Sequence, residues 1–343
     1  MRRFEAALLL LGTAAAAQSG SVPLIYCTDL FHPHEDPDDH FDLATLFALD
    51  ELEVRGILLD QGAQQLARPG STPIRQLCAI TGREVPAGIG LDEKLTSSDD
   101  TGASRPAEFQ AGVELLLRVL REAERPVVIV QTGSLRDLAA AYNREPGLLR
   151  TRVARLYVNS GNAAGAQFEY NAQLDLIAYR RIMESDLPVY WCPCFGGDQV
   201  WTGGPHSAWW RFRQGELFDQ LSAPLQSYFA YALMRLPPSV DPIRALSEPG
   251  LLPLAAEDWR AQAWAQERSM WSTASLLDAA GRPDPSFTFT PATWSFDAQG
   301  AVSLEPAEDS PRRVLTVPDE GAYSRAMLRA LGGLLPRLVR PQG

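Results

Sequence analysis

Between Asp29 and Asp42 the chain carries five aspartates, one glutamate and three of its four histidines. The residues are Asp29, His32, His34, Glu35, Asp36, Asp38, Asp39, His40 and Asp42. So many carboxylates in so short a stretch repel one another unless a cation neutralises them. Oxygen donors of this kind suit a hard divalent ion, Ca²⁺ or Mg²⁺. The histidines offer a rival, with His32, His34 and His40 as Zn²⁺ ligands. A plainer reading is a solvated acidic loop whose Asp38 and Asp39 favour a helix N-terminus.

The loop's place among the elements gives it meaning. It follows the apolar run Pro23–Cys27, a buried-strand pattern, and precedes helical spacing from Phe41 to Leu52. Strand patterns recur at Val54–Leu59, Pro126–Val130, Arg155–Val158 and Pro188–Trp191. Helical patterns lie between them at Pro73–Thr81, Glu108–Glu122, Leu135–Tyr142 and Leu176–Glu184. This alternation predicts an α/β fold with an open, mostly parallel sheet flanked by helices. In such sheets ligands bind outside the carboxyl ends of the strands, where the acidic loop falls. Residues 201–236, rich in Trp, Tyr and Phe, read as a helical cap. Residues 286–317 read as a β-hairpin turning at Asp297–Gly300, and Ala322–Leu338 as a closing helix. No repeat or long linker divides the chain, so 18–343 reads as one domain.

With these elements in place, the sequence resembles the inosine–uridine-preferring nucleoside hydrolase family. Cys27-Thr28-Asp29 stands where that family has Asp-Thr-Asp, and Asp38-Asp39 opens the following helix. Thr132-Gly133 through Asp137 is similar to its Thr-Gly turn. Arg155–Gly161 stands where it has a strand ending in Met-Gly-Gly. Glu169-Tyr170-Asn171 with Asp175 is similar to its Glu-Phe-Asn…Asp segment, and Val240-Asp241-Pro242 to its His-Asp-Pro. The resemblance runs roughly from residue 22 to residue 330.

It implies a hydrolase of the N-glycosidic bond of a nucleoside or related riboside that uses one Ca²⁺. Asp29, Asp39, Asp241 and the Thr132 carbonyl would hold the ion. Asp29 would also act as catalytic base. Asp38, Asn162, Glu169 and Asn171 would bind the sugar. Two departures stand out. Cys27 replaces the family's first Asp, and Val240 stands where many members carry a histidine that protonates the leaving base. His206 is a candidate replacement for that acid. Two other functions remain open: a sugar- or nucleoside-binding protein without turnover, and a hydrolase of another glycosyl bond.

Composition narrows the partners. Of 343 residues, 31 are Lys or Arg and 42 are Asp or Glu, a net charge of −11 that disfavours nucleic acid. Four cysteines do not make a disulfide scaffold. The start reads as an export signal: Arg2-Arg3, an apolar run, then Ala15-Ala16-Ala17. It is shorter than the ~20 apolar residues of a membrane span. The expectation is a mature periplasmic or secreted protein beginning near Gln18, not held in a membrane, and either monomeric or a homo-oligomer. No phosphate-binding loop, dinucleotide fingerprint or nucleophile elbow is present.

Overall fold

The structure is a computed structural model that describes residues 20–164, 169–197, 201–252, 257–297 and 301–339. The expected export signal lies outside the described residues.

The strands, in chain order, are β1 Val22–Thr28, β2 Leu52–Leu59, β3 Ala87–Ile89, β4 Val127–Gln131, β5 Val153–Val158, β6 Val189–Trp191, β7 Trp210–Arg213, β8 Glu267–Met270, β9 Thr288–Phe296, β10 Val302–Pro306 and β11 Arg313–Thr316. Nine form one sheet in the order β10-β9-β11-β6-β5-β4-β1-β2-β3. All neighbours from β11 to β3 pair in parallel; only β9 runs antiparallel, to β10 and β11. The central strands are apolar on both faces because helices cover both. Leu24 and Tyr26 of β1 join one core, while Ile25 and Cys27 join the other.

The strand order fixes where a ligand belongs. From β1 the chain moves outward to β2 and β3, then returns to lay β4 on the other side of β1. Loops leaving β1 and β4 therefore part in opposite directions and open a crevice at their carboxyl ends. Asp29 follows β1 and Thr132 follows β4.

The helix expected from Phe41 begins earlier, at Asp38, and ends at Ala48. Asp38 and Asp39 lie in its first turn, where carboxylates favour the positive end of the helix. The helix Ser71–Thr81 stops at Gly82, whose φ of 70° suits glycine. The hairpin is β9 and β10, with residues 298–300 of its turn outside the described residues. The closing helix spans Glu320–Leu334 and continues as a tighter turn to Arg337.

The expected helical cap needs correction. Within 201–236, β7 pairs antiparallel with β8. The helices of that segment are Gly215–Phe218 and Ala223–Leu233. Trp210 and Phe212 are buried while Arg211 and Arg213 are exposed, a period of two that defines a strand. Several of these aromatics serve packing: Phe212, Phe218 and Phe229 surround Phe41 at 5.6, 5.8 and 4.3 Å between ring centroids. All four cysteines are free thiols, three of them buried. No helix among the described residues is long and apolar enough to cross a membrane.

Candidate active site

A cavity of about 650 Å³ opens at the β1/β4 crevice, within the size range of small-molecule sites. Asp29, Asp38, Asp39, Thr132, Glu169 and Asn171 line it, so six of the eight residues predicted for the site meet there.

The Asp29 carboxyl is pushed well up by burial first and by the neighbouring charge of Asp60 second. Asp39 is raised by burial, then by Asp29, and Asp38 by burial, then by Asp36. The Thr28 hydroxyl donates to Asp39 Oδ1 at 3.1 Å and so ties the helix start to the end of β1. Gly133 lets the β4 turn come close, since a Cβ there would lie 2.8 Å from the Asp29 nitrogen.

On the opposite wall, Glu169 caps the short helix Tyr170–Leu174. Its oxygens accept from the backbone N–H groups of Asn171 and Gly161, each at 2.8 Å, and of Ala172 at 3.3 Å. Burial still raises its carboxyl, and those N–H groups pull it back. The Asn171 amide donates to the Thr132 carbonyl at 3.1 Å, joining this wall to β4.

Two predicted residues are placed elsewhere. Asn162 does not line the cavity. Its amide donates to the Gly197 carbonyl at 3.2 Å, and its oxygen accepts from the Ala164 N–H at 3.0 Å, so it braces a loop. Asn159 lines the cavity instead, with its amide on the Gln131 carbonyl at 3.0 Å. Asp241 is exposed and is not brought to Asp29. Its Oδ1 accepts from the N–H groups of Ile243 and Arg244, at 2.9 and 3.2 Å, which hold its charge at the surface. Asp241→Ala is therefore expected to leave kcat/KM within about two-fold of the parent, as distant surface changes do, measured on any riboside that the protein turns over.

Sequence reading missed Asp60. It follows β2, is buried, and accepts from Ser134 N–H and Oγ at 2.6 and 2.8 Å. It thereby locks the β2 end to the β4 turn beside Asp29. A charged residue directly after Ile57-Leu58-Leu59 was the available signal. A second layer supports the loops around it. Buried Arg136 pairs with Asp175 at 3.2 Å and donates to the Leu91 and Asp92 carbonyls at 2.9 and 2.7 Å. It fixes the loop that carries Lys94 to the wall.

The histidines do not form a zinc centre. His32 Nε2 lies 2.7 Å from the Leu236 carbonyl and its ring stacks on Tyr231. Among the described residues no group of three or more His, Cys, Asp or Glu side chains is placed to hold a metal. The residues that could hold a hard cation are Asp29 and Asp39, near enough for the charge of Asp29 to raise Asp39, together with the backbone carbonyl of Thr132 on the same cavity. An all-oxygen set suits Ca²⁺ or Mg²⁺. It has one carboxylate fewer than the resemblance implied.

Comparison with known proteins places the family and the fold. The family model described as inosine-uridine preferring nucleoside hydrolase matches residues 33–246. The chain is 28% identical over 189 residues to the pyrimidine-specific ribonucleoside hydrolase RihA of Salmonella enteritidis PT4 (strain P125109), covering 49% of this chain. The same figures hold for RihA of Salmonella typhi. In both cases the chain spans 59% of the relative's length. The fold is similar to that of a purine-preferring ribonucleoside hydrolase from Gardnerella vaginalis, at 16% identity and TM-score 0.55, covering 92% of this chain and 99% of that one. An inosine-uridine preferring nucleoside hydrolase from Bacillus anthracis matches at 13% identity and TM-score 0.52, covering 91% and 99%. With a nine-stranded, mostly parallel sheet and a family match over more than half its length, the chain belongs to the inosine-uridine preferring nucleoside hydrolase family.

Proposed function

We infer that the cavity hydrolyses the N-glycosidic bond of a riboside, with Asp29 as the base. The observation that carries this reading is the meeting of Asp29, Asp38 and Asp39 with Glu169 and Asn171 across one cavity. Carboxylates and an amide set opposite one another can grip the hydroxyls of a sugar between them.

Asp29 takes the proton from a water as its oxygen attacks C1′. The C1′–N bond breaks with its electron pair leaving on the base nitrogen, which then takes a proton from solvent, and the sugar passes through an oxocarbenium-like state. The surrounding carboxylates stabilise its positive charge. Glu169 accepts from sugar hydroxyls, its orientation set by the three N–H groups that it accepts from. Asp38 and Asn171 complete the grip. A bound Ca²⁺, held by Asp29, Asp39 and the Thr132 carbonyl, would lower the pKa of the attacking water and help to orient the sugar diol.

The test is turnover of uridine, inosine and a nitrophenyl riboside before and after chelation. Chelation is expected to lower kcat/KM by about 100-fold or more, and added Ca²⁺ to restore it. Turnover indifferent to chelation would remove the cation from the reading. Absence of turnover with ribose still bound would identify a binding protein instead. Export, inferred from residues 1–17, is checked by mass spectrometry of the mature protein, which should begin near Gln18.

A further inference from the structure

The two walls of the cavity are joined at its mouth by a hydrogen bond. Glu35 lies in the loop between β1 and the helix Asp38–Ala48, and Tyr170 opens the helix Tyr170–Leu174; both line the cavity. The Tyr170 hydroxyl donates to Glu35 Oε2 at 3.1 Å, across 135 residues of sequence. Tyr170 is 55% exposed and the Glu35 side chain 50% exposed, so the bond lies at the solvent opening rather than in the depth of the cavity. Tyr170 stands between Glu169 and Asn171, both in the proposed sugar grip, so the bond crosses the mouth beside that grip.

Both backbones that carry the bond are anchored. Glu35 Oε1 accepts from Arg68 at 2.7 Å, and the Arg68 guanidinium lies 4.4 Å from the ring centroid of Phe31 in the same loop. Asp36 pairs with Arg268 of β8 at 3.0 Å, and His32 is tied to the Leu236 carbonyl. Pro33 and Pro37 stiffen the chain between these ties. On the other wall Glu169 accepts three backbone N–H groups, and Asn171 donates to the Thr132 carbonyl. What is left to move is the phenol itself. A side chain more than half in water turns about its own bonds within nanoseconds.

The chemistry of the bond suits a latch. Burial, then the charge of Glu35, push the phenol up to about 12, so it keeps its proton and goes on donating at neutral pH. The segment that Glu169-Tyr170-Asn171 resembles has Phe in the middle place, so the hydroxyl is an addition of this chain. Its acceptor belongs to the loop between Asp29 and Asp38. One exposed hydrogen bond to a carboxylate favours the shut state, yet breaks without help.

We propose that Tyr170 and Glu35 form a strap across the cavity mouth, which opens when the phenol swings out to admit a riboside and shuts behind it to hold the two walls on the sugar. The identity of the guest rests on the hydrolysis reading; the strap itself does not. Because the swing is fast, entry and exit both scale with the fraction of molecules whose strap is open. Breaking the strap therefore speeds both and changes affinity less than either rate.

Cys194 supplies a readout that needs no substrate: it lines the cavity, is 4% exposed and carries a free thiol. Its labelling by methyl methanethiosulfonate at about pH 8.5, mapped by peptide mass spectrometry, follows how often the mouth is open. In Tyr170→Phe and in Glu35→Ala labelling is expected about five-fold faster than in the parent, the worth of one hydrogen bond in an opening equilibrium. The double variant should be no faster than the faster single one, because both changes remove the same bond. Cys192 and Cys27, buried in the two cores, should stay unlabelled over that time in every variant, which shows the fold intact. Stopped-flow fluorescence with ribose and Ca²⁺ should show kon and koff raised together by about the same factor. Unchanged labelling of Cys194, single effects that add, or equal gains at Cys27 and Cys192 overturn the strap. A loss of ribose affinity carried by koff alone makes Tyr170 an ordinary contact and overturns it too. If ribose binds neither parent nor variants, the hydrolysis reading fails, and the labelling still decides the strap.

Discussion

Asp29→Asn is expected to lower kcat by about 10²–10⁴-fold, the usual worth of a positioned acid or base. The amide keeps the size of the carboxyl and retains an oxygen donor, but it cannot take a proton. The supports around it do not depend on its charge. Thr132 N–H donates to the Cys27 carbonyl at 2.8 Å, and Ser134 N–H donates to Asp60 at 2.6 Å. The variant should therefore fold as the parent does, shown by an unchanged circular dichroism spectrum. The measurement is kcat on a nitrophenyl riboside at saturating Ca²⁺, where the leaving group needs no help. A loss smaller than about ten-fold would remove Asp29 from the base role and turn attention to Asp39.

Much of this site is legible in the sequence because it sits where buried strands stop. Apolar Pro23–Cys27 ends at Asp29, and Val127–Val130 ends at Thr132. A sheet covered on both faces must release its polar residues at the strand tips. Asp38 and Asp39 are legible for a second reason, their place in the first turn of a helix. Glu169 was carried by the family resemblance, and its role as helix cap explains why an acid stands there. What the sequence hides depends on tertiary direction. Asn162 and Asn159 are three residues apart, yet only Asn159 lines the cavity, because Gly161 turns the chain at φ 85° between them. Asp241 and Pro242 match their motif while Val240 does not, and the backbone N–H groups of Ile243 and Arg244 claim the Asp241 carboxylate. The aromatic part of the cavity wall draws Phe195, Trp201 and Trp271 from separate segments, and local periodicity holds no trace of that.

Without a bound cation, the buried carboxyls are expected to cost the protein stability as pH rises from about 4 to about 7, against an opposite contribution from His32, His34 and His40, whose burial favours the uncharged ring. The clearest contributor is Asp42, which is 1% exposed. Burial raises its carboxyl from 3.8 to about 7, and the Ser272 hydroxyl offsets only part of that. An unfolded chain ionises this group near 3.8, whereas the folded chain keeps its proton until about 7. Below 3.8 both states hold the proton and Asp42 costs nothing. Between the two values only the folded state holds it, so stability falls with pH; above about 7 the cost is complete and constant. A shift of about three units corresponds to about 4 kcal/mol. Asp29, Asp38 and Asp39 are raised in the same direction by burial and by their neighbours' charge, and so steepen the loss. Calcium acts oppositely on Asp29 and Asp39, because binding it requires their ionised forms and strengthens as pH rises. Urea unfolding at about pH 5 and about pH 8, with and without Ca²⁺, measures the balance. Asp42→Asn should gain up to about 4 kcal/mol over the parent at about pH 8 and little at about pH 4, since an amide does not titrate. Calcium should flatten the slope left in that variant. An unchanged slope in Asp42→Asn would show that this carboxyl ionises normally inside the fold, and that the acidic loop tolerates its charge by other means.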